Sequence, residues 1–176
     1  MHLLLMHPPY VLRYNIRNTG SIYKCAVERT NLGHDTVANS IVGVHPEIHN
    51  YSKPSQAIKA LSLIVNRLVQ KEFVSPQSIV IVSDTPYANS ILAHEDRIGA
   101  FDLVFKHYKD VTGTEICFKT AEEFKGLEAN IVIYLTHEFT NLPASSVDNR
   151  KDYVALTRAR YYLYVLNTKC KAAVGE

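Results

Sequence analysis

The chain has 176 residues, of which 47% are apolar, and its 19 basic and 17 acidic side chains leave a formal charge of only +2. That describes one ordinary globular domain, able to bury roughly 70% of its unfolded surface and to fold without a metal or a disulfide. So small a charge excess neither supports nor excludes a nucleic-acid partner, which depends on where the cations cluster.

The opening Met-His-Leu-Leu-Leu-Met-His-Pro-Pro has too short an apolar core and no basic start for a signal peptide, and no run is long enough to span a bilayer. Cys25, Cys117 and Cys170 form no Cys-x-x-Cys and have no histidine at ligand spacing, so the expectation is reduced thiols, no zinc site and a cytoplasmic protein.

The first helix is expected near 19–32, with Asn18 or Thr19 as its cap and Ile22, Cys25 and Ala26 on its inner face. Arg17 stands just before it, where free N–H groups and the helix dipole suit an anion. A loop rich in Asn, Gly and His leads to a short strand at 47–52. Pro54 and Ser55 then open a helix in which Ala57, Ile58, Leu61, Ile64, Val65, Leu68 and Val69 share one face. Residues 78–83 form an Ile/Val strand. Asp84, ahead of Thr85-Pro86, reads as the cap of a short helix over 86–93 rather than as a metal ligand. Strands are expected at 101–106, 115–119 and 130–136, the last two flanking Thr-Ala-Glu-Glu-Phe-Lys-Gly-Leu-Glu at 120–128. A final helix, capped by Asp148 or Asn149, turns Tyr153, Leu156 and Ala159 inward and leaves Arg150, Lys151 and Arg158 free. It runs into an apolar strand at 161–166, expected to be covered on both faces. Arg158 therefore sits where a helix hands over to a core strand, able to hold a guanidinium at a fixed point. Basic residues crowd this end: Arg150, Lys151, Arg158, Arg160, Lys169 and Lys171, the last two reading as a solvated tail.

Strands alternating with helices, too apolar to face water, predict an α/β fold with a mostly parallel sheet flanked by helices, as a single domain over 1–176. No glycine is followed by lysine, so there is no Walker A loop, and no Asp-Glu pair follows an apolar strand to hold Mg²⁺.

Three segments share a resemblance. Val154-Ala-Leu-Thr-Arg-Ala159, within 150–166, resembles the last motif of superfamily 1 helicases of the UvrD type. Thr120, Lys125, Gly126, Leu127 and Glu128 match that family's Thr-x-His-x-x-Lys-Gly-Leu-Glu, with Glu122 standing where many relatives carry His. Residues 12–19, Leu-Arg-Tyr-Asn-Ile-Arg-Asn-Thr, resemble its Leu-x-x-Asn-Tyr-Arg-Ser-Thr. Each is short, but all three occur in family order. The resemblance implies a RecA-like second, C-terminal motor domain without a Walker A loop. It implies Arg17 and Arg158 as the catalytic, γ-phosphate-sensing arginines, and Lys125, Gly126 and Glu128 as the ATP-binding segment, with the lysine near the γ-phosphate and Glu128 at the ribose. Thr120 would touch single-stranded DNA, with RNA as the alternative, and Glu122 would repel a phosphate at its own position. ATP and Mg²⁺ would be bound mostly by an N-terminal RecA-like domain of the same polypeptide, so the chain alone would be inactive. The roughly one hundred residues between the first two motifs leave no room for the helical insertion common in UvrD-type enzymes. A chain starting so near the first motif is expected to be an excised domain. The competing expectations are a degenerate helicase-like domain that binds nucleic acid or protein without turnover, and a nucleotide-free α/β signalling domain.

Overall fold

The computed structural model describes residues 13–137 and 147–168. Leu12 of the first motif, the opening residues, Lys169, Cys170 and Lys171 lie outside them. Among these residues three α-helices, α1 (Gly20–Thr30), α2 (Pro54–Asn66) and α3 (Val147–Leu156), accompany seven strands. The strands are β1 (Glu47–Tyr51), β2 (Ile79–Ser83), β3 (Arg97–Ile98), β4 (Phe101–Val104), β5 (Glu115–Thr120), β6 (Ala129–Thr136) and β7 (Ala159–Thr168). They form one sheet in the order β1-β7-β6-β2-β5-β4-β3. Every pairing is parallel except that of β3 with β4. The mostly parallel α/β layout is therefore the one the sequence implies.

Alternation along the central strand shows why two layers are needed. Ile79 and Ile81 pack with Leu61, Ile64 and Val65 of α2 and with Leu68 of the π-helical turn, Arg67–Lys71, that continues it. Val80 and Val82 point the other way, to Ile22 and Ala26 of α1 and Ala155 and Leu156 of α3. Strand side chains alternate faces, so an unbroken Ile/Val run needs apolar cover on both sides.

The structure differs from expectation at several local points. Residues 86–93 form no α-helix, only a 3₁₀ turn at Tyr87–Asn89, with buried Leu92 anchoring the segment. Asp84 caps nothing; its carboxylate accepts from the backbone N–H of His137 at 2.9 Å and meets His137 Nδ1 at 3.1 Å, joining the ends of β2 and β6. Helix α3 begins at Val147, so neither Asp148 nor Asn149 precedes it, and the Asn149 amide instead donates to Thr30 O at 3.2 Å. Cys25 is only half-buried, whereas Ile22 and Ala26 are fully enclosed. Tyr161 and Tyr162 are 47% and 42% exposed, so β7 is covered on both faces only from Leu163 onward. The two-residue strand β3 has no sequence counterpart among the expected elements. Among the described residues no helix is long and apolar enough to cross a membrane.

Candidate functional site

All six parallel strands run the same way, so the sheet has an amino edge and a carboxyl edge, and the first motif, the end of the second and the end of the third meet at the amino edge. β6 and β7 begin side by side with Ala129 opposite Ala159, and Ala129 N–H donates to Arg158 O at 3.1 Å. This pairing sets Glu128 and Arg158, each one residue before its strand, next to each other.

The first motif is tied to the same place. Asn18 is 1% exposed, and its amide donates to Thr157 O at 2.8 Å and also to Ala159 O. Thr19 N–H donates to Arg160 O at 3.2 Å. Asn15 Oδ1 accepts from the N–H groups of Arg17 and Asn18, folding the segment into a tight turn just ahead of α1. Two expectations fail here. Neither Asn18 nor Thr19 caps α1 through its side chain. The helix start is also not an open set of donors, because Gly20 and Ser21 N–H are taken by Ile41 O and Val42 O at 2.7 and 2.8 Å. What Arg17 brings to an anion is its guanidinium alone.

The result is an open cleft of about 580 Å³ lined by Tyr14, Arg17, Glu128, Tyr153, Arg158 and Arg160, among others. Glu128 bridges two of the arginines, with Oε2 3.1 Å from Arg17 Nε and Oε1 3.7 Å from Arg160 Nε. Arg158 is half-buried and braced by backbone: its Nε donates to Val154 O at 3.0 Å and its Nη1 to Leu127 O at 3.4 Å. Burial, then the neighbouring Arg17 charge, lower the Arg158 pKa, and Glu128 opposes them. An arginine so placed keeps its proton at any physiological pH. Arg160 stacks over the Tyr161 ring, 5.3 Å from its centroid. Three guanidiniums around one carboxylate leave an excess positive charge suited to a ligand with several anionic oxygens. The Glu128 pairs are solvent-exposed by about 40%, and such pairs are worth only ~0.2–1 kcal/mol. A phosphate can displace them.

The other sequence-predicted residues lie elsewhere. Thr120 ends β5 at the carboxyl edge, roughly 20 Å of strand from the cleft. Its hydroxyl and N–H both go to Glu123 Oε2, at 3.0 and 2.8 Å, while Glu123 N–H returns to the Thr120 hydroxyl at 3.1 Å. This reciprocal box starts the turn over 121–126, and fully buried Phe124 anchors it. Gly126 has φ +85°, a left-handed conformation that lets the chain swing into Leu127 and Glu128. Nothing lies within 4 Å of where its Cβ would be, so the requirement is conformational and not spatial. Lys125 does not line the arginine cleft. It lines a separate small depression with Glu122, Arg150 and Lys151. Arg160, which the sequence offers only as one of the crowded basic residues, joins the cleft lining, and its place two residues beyond Arg158 at the start of a strand is the signal that points there. The described residues hold no group of three or more His, Cys, Asp or Glu that could bind a metal.

No protein-family model and no curated protein matches the chain. Among solved structures it is similar to the C-terminal domain of a possible DNA helicase from Lactobacillus plantarum WCFS1, with a TM-score of 0.62 and 10% sequence identity over 90% of this chain and 91% of that one. At that identity the likeness is one of fold, and it covers nearly the whole of both chains.

Proposed function

We propose that this chain is the second, C-terminal motor domain of an ATP-dependent, UvrD-like superfamily 1 helicase or translocase. The observation that carries this reading is the convergence of Arg17, Glu128 and Arg158, from three segments far apart in sequence, on one cleft. The likeness in fold to the C-terminal domain of a possible DNA helicase supports it.

The chain's own residues would act on ATP from one side. Arg158, braced by Val154 O and Leu127 O, is the arginine finger; Arg17 is the second phosphate arginine; and Glu128, once displaced from its arginines, is free to accept from ribose hydroxyls. A partner N-terminal RecA-like domain would supply the Walker A loop and the Mg²⁺ ligands. Phosphoryl transfer depends on positioning and charge neutralisation, to which an arginine finger contributes about 10³–10⁵ in rate, or roughly 4–7 kcal/mol of barrier. That contribution exists only when the partner domain closes on the cleft, and closure coupled to a grip on single-stranded DNA, or RNA, would give stepping. The chain alone is inactive in this reading.

The alternative, a degenerate domain that binds nucleic acid or protein without turnover, has one observation in its favour: the Thr120 hydroxyl is already committed to Glu123. Phosphate release from ATP, with and without single-stranded DNA, separates the two when measured on the longest natural reading frame containing this domain and on its Arg158→Ala form. Strand-stimulated activity that falls by orders of magnitude in the variant supports a motor. An inactive parent, or one indifferent to the change, leaves the binding module.

A further inference from the structure

The sequence leaves the strand contact to Thr120, but the structure fills that hydroxyl and places a carboxylate on it. A different surface has the chemistry a strand needs. The turn over 121–126 and the outer face of α3 enclose a depression of about 190 Å³ lined by Ala121, Glu122, Lys125, Arg150, Lys151 and Val154. Its floor is apolar and its walls carry three cations against one carboxylate.

That carboxylate is weakly held. Glu122 Oε1 lies 3.5 Å from Lys151 Nζ, and the Glu122 side chain is 77% exposed. Lys125 and Arg150 are exposed and have no hydrogen-bond or ion-pair partner for their charged groups among the described residues. Asp152, on the same helix, does not offset them: it is 6% exposed and accepts from the hydroxyl of fully buried Tyr134. Cations on long side chains at a surface depression suit a repeating anionic backbone, whose phosphates they meet as separate charges.

We propose that this depression is a contact site for the sugar-phosphate backbone of single-stranded nucleic acid, with Lys125, Arg150 and Lys151 as its cations and Glu122 as the charge that weakens it. The site rests on the motor-domain reading and deepens it by moving Lys125 from the nucleotide to the strand. It is built from the 120–128 turn and α3, the same two segments that end in Glu128 and Arg158. A strand held there touches both elements that shape the arginine cleft.

The test is binding of a labelled oligothymidylate to the nucleotide-free natural polypeptide over a salt series. Each phosphate contact on a single strand contributes about 0.7 to the slope of log affinity against log salt. Arg150→Ala with Lys151→Ala should weaken binding and flatten the slope by about 1.4, whereas Glu122→Gln should tighten binding. All three side chains are at the surface, so the variants should retain the parent's melting temperature. Unchanged affinity and slope in both variants, with the parent binding normally, would overturn the site and leave the motor reading intact. So would a normal slope accompanied by weakened association with the partner motor domain, which would assign the depression to an acidic protein surface. A parent that binds no strand overturns both.

Discussion

Two clusters in this molecule have the same formal composition, three cations and one carboxylate, and they are held differently. In the cleft, Arg17, Arg158 and Arg160 surround Glu128, the carboxylate bridges two guanidiniums, and Arg158 is half-buried and braced by two backbone carbonyls. In the depression, Lys125, Arg150 and Lys151 surround Glu122, one loose ion pair forms, and the rest is open to solvent. Charge count alone does not separate them. What separates them is that the cleft holds one guanidinium, Arg158, on backbone carbonyls, and no cation of the depression has such a brace among the described residues; a fixed guanidinium can meet one developing charge.

The largest expected effect isolates that difference. In a parent carrying the Walker A domain, Arg158→Ala should lower strand-stimulated ATP turnover by about 10³–10⁵ and leave nucleotide-free strand affinity unchanged, as read by phosphate release and by anisotropy. Next comes the bracing itself. Asn18→Ala removes both donors to Thr157 O and Ala159 O and leaves those carbonyls buried, so it should cost about 1–3 kcal/mol in a urea titration. It should also loosen Arg17 without touching Lys125. Gly126→Ala forces a left-handed alanine into the turn that links the clusters and should cost about 1–2 kcal/mol in the same titration.

The smallest effect comes from a pair belonging to neither cluster. Burial alone would raise the Asp84 pKa, but the hydrogen bonds and charge of His137, with a hydrogen bond from Thr136, together lower it, and the hydrogen bond to Asp84 raises that of His137. The Asp84 share of stability is present above the ordinary carboxyl value of 3.8 and is lost as pH falls through the lower folded value. The His137 share is present below 6.5 and is lost as pH rises through the higher folded value. A melting-temperature profile should therefore form a plateau between those limits, with both shoulders flattened in Asp84→Asn. Neither the arginine cleft nor the strand site should respond to that change.

The sheet was readable because β2 and β6 are apolar runs that only two-sided cover can accommodate, and α2 because Ala57, Ile58, Leu61, Ile64 and Val65 share one helical face, continued by Leu68 and Val69 in the π-helical turn that follows. Where the sequence misled, the deciding contact was remote. Asp84 looks like a local cap, yet its carboxylate reaches His137, 53 residues away. Thr19 stands at the cap position of α1, but Val42 O already meets the Ser21 N–H that its side chain could have served, and Ile41 O meets that of Gly20. β3, at two residues, is too short to leave a pattern. The cleft was legible to the extent that motif order brought Arg17, Glu128 and Arg158 together. Arg160 entered because the register of β6 with β7 placed it beside Glu128, and Lys125 and Thr120 fell outside because the 121–126 turn spans the face of the sheet from one edge to the other.

One crossed experiment bears most directly on the division between the clusters. Arg158→Ala and the Arg150→Ala, Lys151→Ala pair are each assayed in the natural polypeptide for basal ATP turnover without strand and for strand affinity without nucleotide. The expected result is a clean crossing, with Arg158→Ala losing turnover and keeping strand affinity, and the pair losing strand affinity and keeping basal turnover. If both variants fall together in both assays, or neither changes either quantity, the two clusters are not separate nucleotide and strand sites.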